Sequence, residues 1–267
     1  MRITRFVTPD NEIVYGEDEG DGRALVLSGD PWSGFETSGK RMYITERLAP
    51  VDPVNIFCIG LNYRAHAEET GAALPVNPVI FMKPTTALNH PDNEIVLPAC
   101  CRDVPEVDFE AELAVVIGKA ARNVSEEDAL DYVLGYTCAN DVSARRWQKH
   151  GGGGQWVKGK SFDSFCPLGP VLVTTDEITD PQTLRVESLL NGKVMQDGHT
   201  SDMIFPVARL IHLLSQDTTL LPGTVILTGT PAGVGFARKP PVFLAEGDRI
   251  EVRINAIGVL ANTVVQG

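Results

Sequence analysis

The chain has 267 residues, a net charge of −12 at neutral pH and 43% hydrophobic residues, enough for one large domain, or one domain with a small appendage. The acidic balance argues against broad contact with phosphate backbones, so nucleic acid is not an expected partner. No apolar run approaches the roughly 18–20 residues of a membrane span, and the start, Met1 to Val7, lacks a signal peptide's apolar core.

Residues 1–52 read as a small N-terminal β module. Arg2–Val7 alternates, and short segments around Ile13–Tyr15 and Ala24–Leu27 follow between Gly/Asp turns. Pro50 and Pro53 bracket a junction, and residues 53–267 form the expected main domain. Strand signals dominate it, at Ile56–Ile59, Val79–Phe81, Leu113–Ile117, Val171–Thr174, Val225–Thr228 and Ile250–Ile254. Leu184–Leu190, Asn191-Gly192 and Lys193–Met195 predict a hairpin with a type I′ turn. Helical signals are few: a capped start at Ser125–Asp128 ahead of Ala129–Val133, and an apolar helix over Pro206–Leu214. The expected class is a β-dominated α+β fold.

The five cysteines, Cys58, Cys100, Cys101, Cys138 and Cys166, are odd in number and form no C-x-x-C pair. That spacing predicts free thiols and a reducing, cytoplasmic compartment rather than a disulfide scaffold or a thiolate zinc site. Cys58 reads as a small buried apolar residue.

Four segments carry chemistry. Leu61–Gly71 predicts a short helix stopped by Gly71, with His66 and Glu69 three apart and so on one face. Such a pair is either a surface contact or a histidine oriented as a general base. Next, Val107–Gly118 predicts a strand in which Glu110 and Glu112 point the same way, about 7 Å apart at the backbone. Phe109, Ala111, Leu113, Val115 and Ile117 face a core on the other side. With no Lys or Arg in the segment, the two carboxylates are either a solvated acidic face or ligands for a hard divalent cation.

Tyr136–Arg145 reads as a strand ending in a third carboxylate, Asp141, able to join that pair. Arg145 follows four residues on, either in a surface ion pair or as a fork for a substrate carboxylate, with Gln148 beyond it. Finally, Leu227–Gly235 is a strand running into a Gly-rich loop whose amides can cradle an anion. Gly154–Ser161 matches the phosphate-loop pattern G-x-x-x-x-G-K-[ST] letter for letter, but no buried strand precedes it and Ser161–Pro167 is a poor helix. It is therefore not assigned to nucleotide binding, and Gly151–Gly154 is read as a mobile loop beside a site.

In order, the stretches Ile59–Tyr63 through His66 and Glu69, Pro78–Pro84, Glu110–Gly118, Asn140–Arg145, Gly159–Asp163 and Leu227–Pro231 resemble the fumarylacetoacetate hydrolase family. The resemblance runs from about residue 54 to the end. Gly159–Pro170 and Phe236–Leu244 are most similar to its domain-containing-protein-2, acylpyruvase-like subgroup. It implies a mixed β-roll, a homodimer, and one Mg²⁺ or Mn²⁺ per subunit on Glu110, Glu112 and Asp141. It further implies His66 and Glu69 as the water-activating pair on a lid, Lys160 as the active-site lysine, and Arg145, Gln148 and Thr230 as contacts to a substrate carboxylate.

The implied substrate is a small 2-oxo or diketo acid. The first expectation is hydrolysis of the C–C bond of a 3-acylpyruvate, releasing pyruvate through a metal-stabilised enolate. Oxaloacetate decarboxylation, oxaloacetate keto–enol tautomerisation and 2-hydroxyhepta-2,4-diene-1,7-dioate isomerisation use related chemistry and are the alternatives. A non-catalytic, metal-stabilised binding module is the alternative of another class.

Overall fold

A computed structural model describes residues 1–151 and 153–267. Its main sheet has twelve strands among the described residues. The central path runs Gly34–Tyr43, Arg23–Asp30, Ile13–Asp18, Arg2–Val7, Cys166–Thr174, Val133–Asn140, Ala111–Ile117, Thr224–Leu227, Asn55–Gly60 and Val79–Lys83. Arg2–Val7 pairs antiparallel with Cys166–Thr174, Ile3 opposite Leu172, so the strands of the N-terminal segment continue the main sheet. A second sheet of five strands contains Lys193–His199, Arg185–Leu190, Arg249–Ile254, Gly258–Gln266 and Ile95–Leu97.

The expected strand over Val107–Gly118 is two strands. Val107–Asp108 pairs with Ser143–Ala144 in a small ladder, Phe109 and Glu110 lie between, and Ala111–Ile117 continues into the main sheet. Its odd residues, Ala111, Leu113, Val115 and Ile117, enter the core shared with Val186, Val252 and Ile254 of the second sheet. Its even residues Ala114 and Val116 enter a second core with Ile56, Cys58, Leu172 and Leu227. Both faces are covered, so this is no half-solvated strand, and Glu112 lies on an apolar face without being exposed.

The hairpin at Asn191-Gly192 forms as expected, with positive φ at both turn residues (50° and 79°), the geometry of a type I′ turn. Four α-helices are described: α1 (Arg64–Thr70), α2 (Arg145–Lys149), α3 (Val157–Lys160) and α4 (Val207–Leu214). Gly71 ends α1 in the left-handed conformation, its N–H returning to Glu68 O at 3.1 Å. Helix α4 buries Val207, Leu210, Ile211 and Leu214, the helical spacing read from the sequence. Ala129–Tyr132 is a single 3₁₀ turn, with Ser125 Oγ accepting from Asp128 N at 3.1 Å. The Gly151–Gly154 run includes residue 152, which lies outside the described residues.

Candidate active site

The three acidic residues meet because two adjacent strands end beside each other. Ala111–Ile117 and Val133–Asn140 are antiparallel, with Ala111 opposite Asn140, so Glu110 and Asp141 are the next residues past the ladder. Asp141 N donates to Glu110 O at 2.9 Å, and Glu110 N donates to Asn140 Oδ1 at 3.1 Å. Glu112, one pleat further, brings its carboxylate to the same point. One oxygen from each of Glu110, Glu112 and Asp141 lies within 4.8 Å of the others, and all three residues are buried. Glu110 and Glu112 border a cavity of about 440 Å³ whose walls include His66, Phe81, Trp156 and Phe236.

Such a cluster persists only if its charge is met. Lys160 Nζ donates to Glu110 Oε2 at 2.7 Å and to Asp141 Oδ2 at 2.8 Å. On the far side, Lys83 Nζ donates to the carbonyls of Val142, Lys160 and Phe165, and stands 2.7 Å from Asp141 Oδ1. Arg145 Nη2 lies 2.7 Å from Glu110 Oε1, while its Nε donates to Asp108 Oδ1 at 2.6 Å and Nη1 to Gln148 Oε1 at 3.0 Å. Four carboxylates (Asp108, Glu110, Glu112, Asp141) therefore face three cations.

The ionisation of the group follows from these contacts. Burial opposes the charge on Glu110, but Lys160 and Arg145 outweigh it and hold its carboxyl well below the usual range. Burial, then the charges of Asp141 and Glu110, push Glu112 well up. Glu112 accepts a backbone hydrogen bond from Gly229 and has no ion-pair partner among the described residues. Burial also raises Asp108, to about 6, against the pull of Arg145. An all-oxygen donor set with one strained, under-partnered carboxylate is what a hard divalent cation would relieve, so the residues fit the implied metal.

The Gly-rich loop does cradle anions, and they are the protein's own. Gly229 N donates to Glu112 Oε2 at 2.7 Å, Gly233 N to both oxygens of Glu69 (3.0 and 2.8 Å), and Phe236 N to Asp108 Oδ2 at 2.8 Å. Gly229 and Gly233 adopt φ of 100° and 105°, conformations a side chain resists. One loop thus fixes three carboxylates by three amides.

Each residue singled out from the sequence is found at or around the cavity. Glu69, anchored by Gly233, sits 3.3 Å from His66 Nδ1, and His66 is buried on the cavity wall rather than on the surface. Lys160 ends α3 with its ammonium on the carboxylates, so the phosphate-loop match is a decoy. Gln148 and Arg145 are bonded to each other along α2. Thr230 Oγ1 donates to Ala111 O at 2.9 Å and accepts from Gln196 Nε2 at 2.6 Å, so its hydroxyl is held by the frame while it lines the cavity.

Lys83 and Asp108 were missed, although both carried a signal. Asp108 shares the strand parity of Glu110 and Glu112, and Lys83 occupies the buried parity of Val79 and Phe81 on an otherwise apolar strand.

The family model described as "Fumarylacetoacetate (FAA) hydrolase C-terminal" matches residues 55–265, and one described as "Rv2993c-like, N-terminal" matches residues 1–55. The chain belongs to the fumarylacetoacetate hydrolase family. It is 48% identical over 219 residues to human "oxaloacetate tautomerase FAHD2A, mitochondrial", covering 82% of this chain and 69% of the relative. The Xenopus laevis "oxaloacetate tautomerase fahd2, mitochondrial" is 49% identical over 219 residues, covering 82% and 68%. Among solved structures, "5-carboxymethyl-2-hydroxymuconate delta-isomerase" from Mycobacterium smegmatis superposes with a TM-score of 0.87 at 38% identity, covering both chains fully. The fumarylacetoacetate hydrolase of Exiguobacterium antarcticum gives 0.87 at 36% identity, also over both full chains.

The expected mixed β fold of this family is therefore present, with its buried acidic triad, in an enzyme of the family. The relatives' names favour the tautomerase alternative over the hydrolase placed first by the sequence. On compartment the observations are narrower than the cytoplasmic expectation: five free thiols, and no described helix long and apolar enough to cross a membrane.

Proposed function

We propose that this enzyme interconverts the keto and enol forms of oxaloacetate. The observation that carries the reading is the buried Glu110–Glu112–Asp141 triad, held by Lys160 and set at one small cavity that the His66–Glu69 pair also lines, in a chain 48% identical to a protein named for that reaction. A divalent cation on Glu110, Glu112 and Asp141, Mg²⁺ or Mn²⁺, would supply Lewis-acid stabilisation of the negative charge developing on the 2-oxo oxygen.

The chain's own groups do the rest. Glu69 holds the His66 ring through Nδ1, leaving Nε2 to take a proton from C3 of the keto form and return it in the reverse direction. The C3–H bond breaks, C2–C3 gains double-bond character, and the proton carried by His66 passes to the 2-oxygen, directly or by exchange with solvent, which returns the imidazole to its starting form. Lys160, buried and charged because Asp141 and Glu110 outweigh its burial, offsets the oxyanion charge as it grows. The apolar wall of Phe81 and Trp156 limits water at the carbon being deprotonated.

The His66–Glu69 pair also favours a second reading. The same base acting on water would cleave a 3-acylpyruvate to a carboxylic acid and pyruvate enolate. A parallel ultraviolet assay of oxaloacetate and acetylpyruvate, after chelation and reconstitution with Mg²⁺ or Mn²⁺, separates the readings. Oxaloacetate interconversion without carbon dioxide release or acetylpyruvate loss supports the tautomerase. Carbon dioxide would move the assignment to a decarboxylase, and metal-dependent pyruvate release from acetylpyruvate to the hydrolase.

Residues 53–267 would form the catalytic unit and residues 1–52 a module buttressing its sheet. The active form we propose is a homodimer in a reducing compartment. Ile80 and Met82, exposed on the edge strand Val79–Lys83, supply apolar surface for association.

A further inference from the structure

Four cationic or titratable basic side chains line the cavity: His66, Arg145, Lys149 and Lys160. Three are engaged. Lys160 is held by Glu110 and Asp141, Arg145 by Asp108, Glu110 and Gln148, and His66 by Glu69. Lys149 has no carboxylate within ion-pair distance among the described residues. Its ammonium rests 3.9 Å from the centroid of the Phe236 ring, and Arg145 Cζ lies 4.3 Å from the same centroid. Lys149 is exposed to solvent, and the ring gives its ammonium a seat at the mouth of the cavity.

Lys149 is also placed one helical turn beyond Arg145 on α2. Four residues advance roughly 6 Å along a helix, on the same face. A four-carbon 2-oxo diacid has its carboxyl carbons about 4 Å apart, across three C–C bonds of about 1.5 Å. A substrate whose 2-oxo head lies against the triad and Arg145 therefore carries its second carboxylate toward the mouth, where the uncommitted cation stands. Burial, then the charge of Arg145, lowers the Lys149 pKa, so an incoming anion relieves a site short of negative charge.

We infer that Lys149 is a specificity-determining residue that binds the distal carboxylate of a dicarboxylic 2-oxo acid and selects it over monocarboxylic analogues. The inference rests on the keto–enol reading for the identity of the substrate, but its test does not depend on turnover. Malate and lactate share a 2-hydroxy acid head, and malate alone carries the distal carboxylate. Their affinities would be measured by calorimetry on the Mg²⁺-loaded protein and on Lys149→Met and Lys149→Arg. In parallel, enol decay would be followed for oxaloacetate and for phenylpyruvate, which lacks the second carboxylate.

A charge-assisted contact predicts that Lys149→Met weakens malate and raises KM for oxaloacetate roughly 10- to 100-fold. Lactate affinity and phenylpyruvate turnover should stay within about twofold, and Lys149→Arg should restore most of the preference. Equal losses for both acids, or an unchanged malate preference in Lys149→Met, would overturn the assignment even with full tautomerase activity. If neither enol is turned over while the Lys149-dependent preference for malate persists, the reaction assigned above fails and the carboxylate site stands.

Discussion

Replacing Lys160 by methionine tests whether the cluster is held by balanced buried charge. The ammonium lies 2.7 Å from Glu110 Oε2 and 2.8 Å from Asp141 Oδ2, with all three side chains buried. Removing one partner of a buried pair costs about 3–5 kcal/mol, because the surviving charge is left uncompensated. Here Glu110 keeps Arg145 at 2.7 Å and Asp141 keeps Lys83 at 2.7 Å, which places the cost at the lower end, about 3 kcal/mol. For a chain of this size that is roughly 6–12 °C in Tm, read by differential scanning fluorimetry in excess chelator. The double variant Lys160→Met/Glu110→Gln removes the orphaned charge and should recover much of the loss, a coupling above about 1 kcal/mol. Adding Mg²⁺ should raise the Tm of Lys160→Met more than that of wild type, since the ion replaces the missing positive charge. Turnover should fall by about 10²–10³ whether or not stability is rescued. A Lys160→Met protein that melts within about 1 °C of wild type in chelator, with additive double-variant effects, would refute the electrostatic account.

Gly233→Ala forces a side chain onto a φ of 105° and against the Met195 carbonyl, displacing the amide that holds Glu69, so kcat should drop by roughly 10²-fold while Mg²⁺ affinity by calorimetry is unchanged. Of the five cysteines Cys100 alone is exposed, and burial pushes up the thiol pKa of Cys58, Cys101, Cys138 and Cys166, so Ellman's reagent should titrate one thiol in native protein and five in guanidinium. His90 accepts from Ala49 N at 3.1 Å, and burial, then Arg5, lowers its pKa below 6.5. Its neutral form therefore contributes stability that is complete above pH 6.5 and lost as pH falls through the folded value; His90→Asn should shrink the Tm difference between pH 7.5 and pH 5.5.

The parts of this molecule legible in sequence are those fixed by local periodicity. The Asn191-Gly192 turn, the apolar spacing of α4 and the alternation of Ala111–Ile117 need only nearest neighbours, and all three are found. Glu110 and Glu112 were legible because two carboxylates on one strand face, with no Lys or Arg in the segment, demand an explanation, and Asp141 because it ends another strand able to join them. Less visible was what meets their charge. Lys83 and Lys160 reach the cluster from elements 27 and 50 residues from Glu110 in sequence, and those contacts exist only once the sheet has formed. The break of Val107–Gly118 at Phe109-Glu110 was hidden for a related reason: Val107 and Asp108 pair with Ser143–Ala144, a partner that period-two alternation does not specify.

The Gly-rich loop was legible as an anion cradle but not as a cradle for the protein's own carboxylates, and the difference bears on the chemistry. Its amides read as a cradle for an anion, and the anions they bind are the protein's own Glu112, Glu69 and Asp108. Glu112 belongs to the buried acidic triad, Glu69 contacts His66, and Asp108 holds Arg145, which in turn contacts Glu110. In the proposed reaction, the groups assigned to the electrophilic side and those assigned to proton transfer are therefore spaced by one short backbone segment, not by two independently packed elements. Tautomerisation, decarboxylation and acylpyruvate cleavage all need a stabilised enolate and differ in what approaches the adjacent carbon. A rigid spacer of this kind keeps the enolate half constant, and leaves the reaction to the cavity groups that the loop does not bind.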